Sequence, residues 1–224
     1  MSSGIDSVLM GIILMNLWLV ATSRISACIK IVAFQGILVA FLPFVAHASS
    51  VTVETSLFVL ATVALKGFIF PWLLFRALRE ANVRREVEPF IGYPVSMVFC
   101  VFIFLISMWL GARLPMPRPV FSALVVPVSF ATILIGFFII ISRTKALTQV
   151  LGYLVIENGI YVFGMALLVE QPVLVELAIL LDVFVAVFVM GIAIFHISRE
   201  FDHIDTHHLS QLRDWTAPKE EVRP

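Results

Sequence analysis

Charge is scarce in this sequence. Only 13% of the 224 residues are Asp, Glu, Lys or Arg, against roughly 25% in a soluble domain. The 15 basic residues balance the 15 acidic ones, and the missing basic surplus removes nucleic acid as an expected partner. Cysteine is scarcer still. Cys28 and Cys100 are the only two, with no CxxC and no Cys/His ligand spacing, so a disulfide or a zinc site is not expected and both read as small buried hydrophobes. Histidine offers no haem pair either, because His47 and His196 fall at the ends of apolar runs expected on opposite sides of a membrane. His203 and His207, four apart in a polar tail, read as part of a solvated segment that docks on a partner. No cofactor and no metal are expected.

What the chain has instead is apolar surface. Hydrophobic residues make up 61% of it and the mean hydropathy is +1.05. A soluble fold of this length cannot hide that much, whereas lipid is itself the apolar solvent. A helical span needs about 20 mainly apolar residues. Seven segments qualify: 5–22, 25–46, 56–75, 92–111, 120–141, 147–169 and 173–197. They are continuously apolar rather than alternating, which excludes a β-barrel. The expected fold is therefore all-α, a polytopic bundle of about seven transmembrane helices. The first segment carries only Asp6 and lacks the basic start of a cleaved signal peptide, so it reads as a span.

Basic residues set the orientation. Arg24, Lys30, Arg76, Arg79, Arg84, Arg85, Arg143, Lys145, Arg199, Arg213, Lys219 and Arg223 fall at alternate turns and in the tail, whereas the other turns hold only Arg113 and Arg118. The excess predicts an outside N-terminus and a cytoplasmic C-terminus. The Pro-rich stretch 115–119 divides a front bundle of four spans (1–118) from a three-helix unit (119–199), followed by a polar cytoplasmic tail (200–224). Ser23-Arg24 before a span with Gln35-Gly36 also echoes Ser142-Arg143 before a span with Asn158-Gly159, the pattern of a parallel repeat.

Three ionisable residues interrupt the apolar runs: Lys66, Glu157 and Asp182. Each costs about 2.5–3.5 kcal/mol at the centre of a span on insertion scales, and such residues are functional by default. Lys66 and Glu157 lie ten residues into their segments and Asp182 nine. At a rise of 1.5 Å per residue all three are about 14–15 Å deep, near the midplane of a core about 30 Å thick. They are candidate proton-transfer residues, with Asn158 and Gln35 as neutral polar support. Pro71 cannot donate to the carbonyl of Gly67, so a kinked, hydrated patch is expected beside Lys66. The plain structural alternative is an ion pair of Lys66 with Glu157 or Asp182 that only holds helices together.

These residues carry a resemblance. The stretch from Ser142-Arg143-Thr144-Lys145 to Gly152-Tyr153-Leu154-Val155-Ile156-Glu157-Asn158-Gly159 resembles component E of hydrogenase 4, a membrane subunit of group 4 nickel–iron hydrogenases and formate hydrogenlyases. So do Lys66 followed by Pro71, the segment 175–190 around Asp182, and the tail near Asp205 and Leu209. The last three spans also resemble the small K subunit of complex I and its Mrp antiporter counterpart. In those proteins two successive helices carry acids, matched here by Glu157 and Asp182, although the family glycine sits closer to the first acid than Gly152 does to Glu157. The resemblance implies a subunit without its own redox centre, in the bacterial or archaeal cytoplasmic membrane. Its partners would be antiporter-like and other membrane subunits and, indirectly, nickel–iron and iron–sulfur subunits. Its role would be proton or sodium movement coupled to electron transfer. The alternatives are a stand-alone ion transporter and a membrane scaffold.

The orientation generates a first prediction. In intact cells a membrane-impermeant thiol reagent will label cysteines placed in 48–54 and leave those placed in 79–88 unlabelled. The reverse pattern would invert the topology.

Overall fold

The computed structural model describes residues 2–46, 53–80, 91–114, 122–167 and 191. Every element in it is helical: α1 (Ser2–Ala21), α2 (Ile25–Ala46), α3 (Val53–Ala64), a π-helical turn (Leu65–Ile69), α4 (Phe70–Glu80), α5 (Tyr93–Arg113), α6 (Val125–Ser142) and α7 (Ala146–Leu167). Among the described residues, five stretches are long and apolar enough to cross a membrane: Gly4–Ala21, Ile25–Val45, Val59–Arg79, Tyr93–Arg113 and Val125–Ser142. The protein is thus a polytopic helical membrane protein. The sixth expected segment forms α7. The seventh, with Asp182, lies outside the described residues, as does the tail.

Four helices make the centre. α6 packs most closely on α7, α1 packs on α2 and α6, and α2 packs on α7. α5 flanks this centre against α6 and α1, while α3, the π turn and α4 flank it on the other side against α2. Leu9, Ile12, Val39, Ala131, Val155 and Val162 are fully buried within it. Lipid is as apolar as leucine, so close packing and interhelical polar contacts must hold the helices together in place of a hydrophobic drive. The outer faces of α1, α4 and α5 carry exposed Trp18, Trp72 and Trp109, with Arg76 stacked 5.8 Å from the Trp72 ring centroid and Arg113 5.1 Å from that of Trp109. Indole paired with a cation near a helix end suits the membrane–water boundary.

The α6–α7 seam depends on residues without side chains. A Cβ on Gly136 would stand 2.7 Å from the carbonyl oxygen of Gly152, and one on Gly152 would stand 2.9 Å from that of Gly136. On Gly159 it would meet the Ile133 nitrogen at 2.9 Å. Backbone meets backbone at these points, so no flexible side chain can yield.

The third expected span is a single rod from Val53 to Glu80, but it is not one regular α-helix. Just before Pro71, where a kink is expected, the span holds a π turn in which the Phe70 N–H donates to the carbonyl of Leu65. Pro71 has no N–H with which to continue the α ladder, and one surplus residue is absorbed just before it.

Gly136→Ala and Gly159→Ala are each expected to destabilise the protein by about 1–3 kcal/mol through overpacking. Gly11→Ala is the control. Its new methyl would meet Leu38 Cδ1 at an ordinary 3.5 Å, so it will be neutral or stabilising by up to about 1 kcal/mol. Equilibrium unfolding in mixed micelles separates the two classes.

Candidate functional site

Lys66 sits in the π turn, on the side of the rod that faces α2. Its Cβ and Cδ lie against Gly36, where an added Cβ would stand 2.9 Å from Lys66 Cβ. Glycine on α2 therefore lets the lysine stem pass toward α7. There the ammonium meets Glu157: Lys66 Nζ lies 2.6 Å from Glu157 Oε1 and donates to Asn158 Oδ1 at 3.1 Å. The Tyr161 ring, one turn further along α7, stands 5.6 Å from Nζ, within cation–π range. Lys66, Glu157 and Asn158 are 5%, 3% and 2% exposed. A small cavity of about 10 Å³ adjoins the pair, lined in part by Ala33, Pro71 and Leu154, a size at the lower limit for one water.

A second polar line crosses the centre of the bundle. Gln35 Nε2 donates to Asn16 Oδ1 at 2.9 Å, Asn16 Nδ2 donates to Thr132 Oγ1 at 2.9 Å, and Thr132 Oγ1 donates to the carbonyl of Val128 at 2.7 Å. α2, α1 and α6 are thereby tied through side chains that are all fully buried. Gln35 Oε1 has no hydrogen-bond partner among the described residues.

Three of the residues expected to matter, Lys66, Glu157 and Asn158, come into direct contact. Gln35 belongs to the second polar line. Asp182 lies outside the described residues. Asn16, Thr132 and Tyr161 were not singled out in the sequence. The first two are neutral residues in apolar runs, and only the burial of an amide in lipid distinguishes Asn16 from a tolerated polar residue. Tyr161 is i+4 from Glu157, a spacing that could have suggested it. Cys28 and Cys100 are both buried free thiols. Among the described residues no three of His, Cys, Asp and Glu converge as metal ligands do.

Chemically, the pair is a neutral unit made of two charges in a low dielectric. Lys66→Met strands a carboxylate and is expected to cost about 3–5 kcal/mol, as is Glu157→Leu, whereas the double replacement recovers most of that loss because no charge is left unpaired. A double-mutant cycle of unfolding free energies measures the coupling; additive losses would mean that the contact carries none.

The chain is 29% identical over 205 residues to an uncharacterised protein of Mycobacterium tuberculosis, covering 91% of this chain and 93% of that one. It is also 27% identical over 150 residues to hydrogenase-4 component E of Escherichia coli K12, covering 66% of this chain and 68% of that protein. The component E proteins of E. coli O157:H7 and Shigella flexneri match to the same degree. No family model and no solved structure matches. The chain is thus similar along most of its length to a mycobacterial protein, and along two thirds of it to a hydrogenase component.

Proposed function

We propose that this chain is a non-redox membrane subunit of a hydrogenase-like respiratory complex in the bacterial cytoplasmic membrane, and that Lys66 and Glu157 are part of its proton or sodium path. The similarity to hydrogenase-4 component E supports the first half. The single observation that carries the second is the Lys66–Glu157 pair itself, held at 2.6 Å within an apolar bundle. An ion pair kept only for adhesion gains little over well-packed apolar side chains, and lipid-embedded helices can associate through small residues, as the α6–α7 seam does.

The pair's chemistry suggests how it works. A proton arriving at Glu157 neutralises the carboxylate and leaves Lys66 as a lone buried cation, which is costly in low dielectric. That cost is relieved when Lys66 finds another acid or releases a proton. Asn158 holds the ammonium by a neutral contact while the exchange occurs. Asp182, at matching depth in its own segment, is the proposed next station. Antiporter-like membrane subunits would continue the path, and nickel–iron and iron–sulfur subunits would supply the electrons.

Glu157→Gln keeps shape and hydrogen bonding but removes the exchangeable proton. The expected outcome has three parts. The partner subunits still co-purify with the chain, and the detergent-solubilised complex keeps its redox activity. Redox-driven ion uptake into sealed vesicles falls by about tenfold or more. Asp182→Asn shows the same pattern, more mildly. Normal uptake in both amide variants would leave this chain as a scaffold, and full transport by the isolated chain in liposomes would make it a transporter on its own.

A further inference from the structure

A second buried charge stands apart from the Lys66–Glu157 pair, with no acid of the described residues in ion-pair contact. Arg143 follows α6, at a turn whose basic content suggests a solvated cytoplasmic loop, yet it is only 3% exposed. Its Nη2 donates to the carbonyl of Val20 at 3.1 Å, near the C-terminal end of α1, and its guanidinium stands 5.4 Å from the Tyr93 ring centroid. Nη1 is buried and has no hydrogen-bond partner among the described residues. No carboxylate of the described residues lies within ion-pair distance. A helix end and a ring face offset part of a cation's desolvation, but burying an ion without a counter-ion still costs several kcal/mol.

Arg143 lines a cavity of about 10 Å³ together with Leu19, Thr22, Cys28, Ile139, Thr148 and Leu151. That space admits one oxygen-sized atom. Thr22, Thr148 and Cys28 already direct their hydrogens to the carbonyls of Trp18, Lys145 and Thr22 respectively, so Arg143 Nη1 is the donor left for an incoming group. Two helix C-termini and two helix N-termini meet at these turns and oppose one another in sign, which leaves the guanidinium as the charge to be met. α7 starts at Ala146, with the positive end of its dipole at this turn. Arg24 is exposed on the facing turn. Trp18, one turn before Thr22, is 63% exposed, the placement of an interfacial indole. Headgroup phosphates occupy that level.

We infer that the crevice between the α1–α2 and α6–α7 turns is a phospholipid site, in which a phosphate oxygen of an anionic lipid headgroup enters the cavity and neutralises Arg143. A water would satisfy Nη1 but leave its charge, and the charge is the larger penalty.

The full-length chain, purified in a phosphate-free maltoside detergent, tests this by thermal unfolding. Phosphatidylglycerol is expected to raise the midpoint, while sodium phosphate at the same concentration does not. Arg143→Gln lowers the affinity for phosphatidylglycerol about tenfold, equivalent to about 1.4 kcal/mol, and Arg143→Lys falls between because it keeps the charge without the planar fork. An unchanged lipid response in Arg143→Gln, or equal protection by sodium phosphate, would overturn the proposal. Should Arg143→Gln fail to fold, the unmodified chain decides the matter. Phosphatidylglycerol carrying a photoreactive group next to its phosphate must crosslink to residues around Thr22 and Thr148, and crosslinks only at other helix ends refute the site.

Discussion

A charge inside hydrocarbon must be neutralised, and much of this bundle is arranged to do so for Lys66. The lysine reaches Glu157 because α2 offers a glycine at the crossing point, because a π turn aims the side chain inward, and because α7 is held in place by the glycine seam with α6. Remove any of these and the ammonium and carboxylate no longer meet at hydrogen-bond distance. The contact thus depends on four helices at once, which is why a pair of side chains 91 positions apart in the chain can report on the integrity of the whole centre.

The two partners of the pair are mounted differently. Between α6 and α7 the contacts are backbone against backbone, a seam with little capacity to adjust. The rod that carries Lys66 packs mainly on α2 and leaves much of its surface exposed, including Leu57, Leu60, Phe68 and Trp72. The acid is therefore mounted on the most rigidly packed part of the molecule and the base on one of the least. For residues that exchange partners, that division lets one move while the other stays fixed.

Much of this was legible in the sequence, for simple physical reasons. Apolar runs of span length have few alternatives to membrane helices, and the described helices follow the expected segments closely. Lys66 and Glu157 drew notice because an ionisable group in such a run needs a cause. The less visible features are those where chemistry alone is ambiguous. Pro71 announces a lost hydrogen bond but not whether the helix kinks or widens, because both answers satisfy the backbone. Asn16 and Thr132 are cheap enough in a span to pass as tolerated. Arg143 reads as a loop cation because its place next to Lys145 is that of one, and only the tertiary packing of Tyr93, Val20 and Ile139 around it removes it from water.

The π turn sets the rotational phase of the rod. Val59, Thr62, Lys66, Phe70, Leu74 and Ala77 are its buried positions, and three of the steps between them are four residues long. In a regular α-helix each such step overshoots a full turn by about 40°, and the three-residue steps at either end of the series return the line to the same face. α3, the π turn and α4 all pack on α2, so the wider turn is part of the register that both halves share with one neighbour. A residue deleted between Leu65 and Ile69 would thus be felt at a distance, as a rotation of about 100° of one half against the other. The same deletion near either end of the rod would merely shorten it.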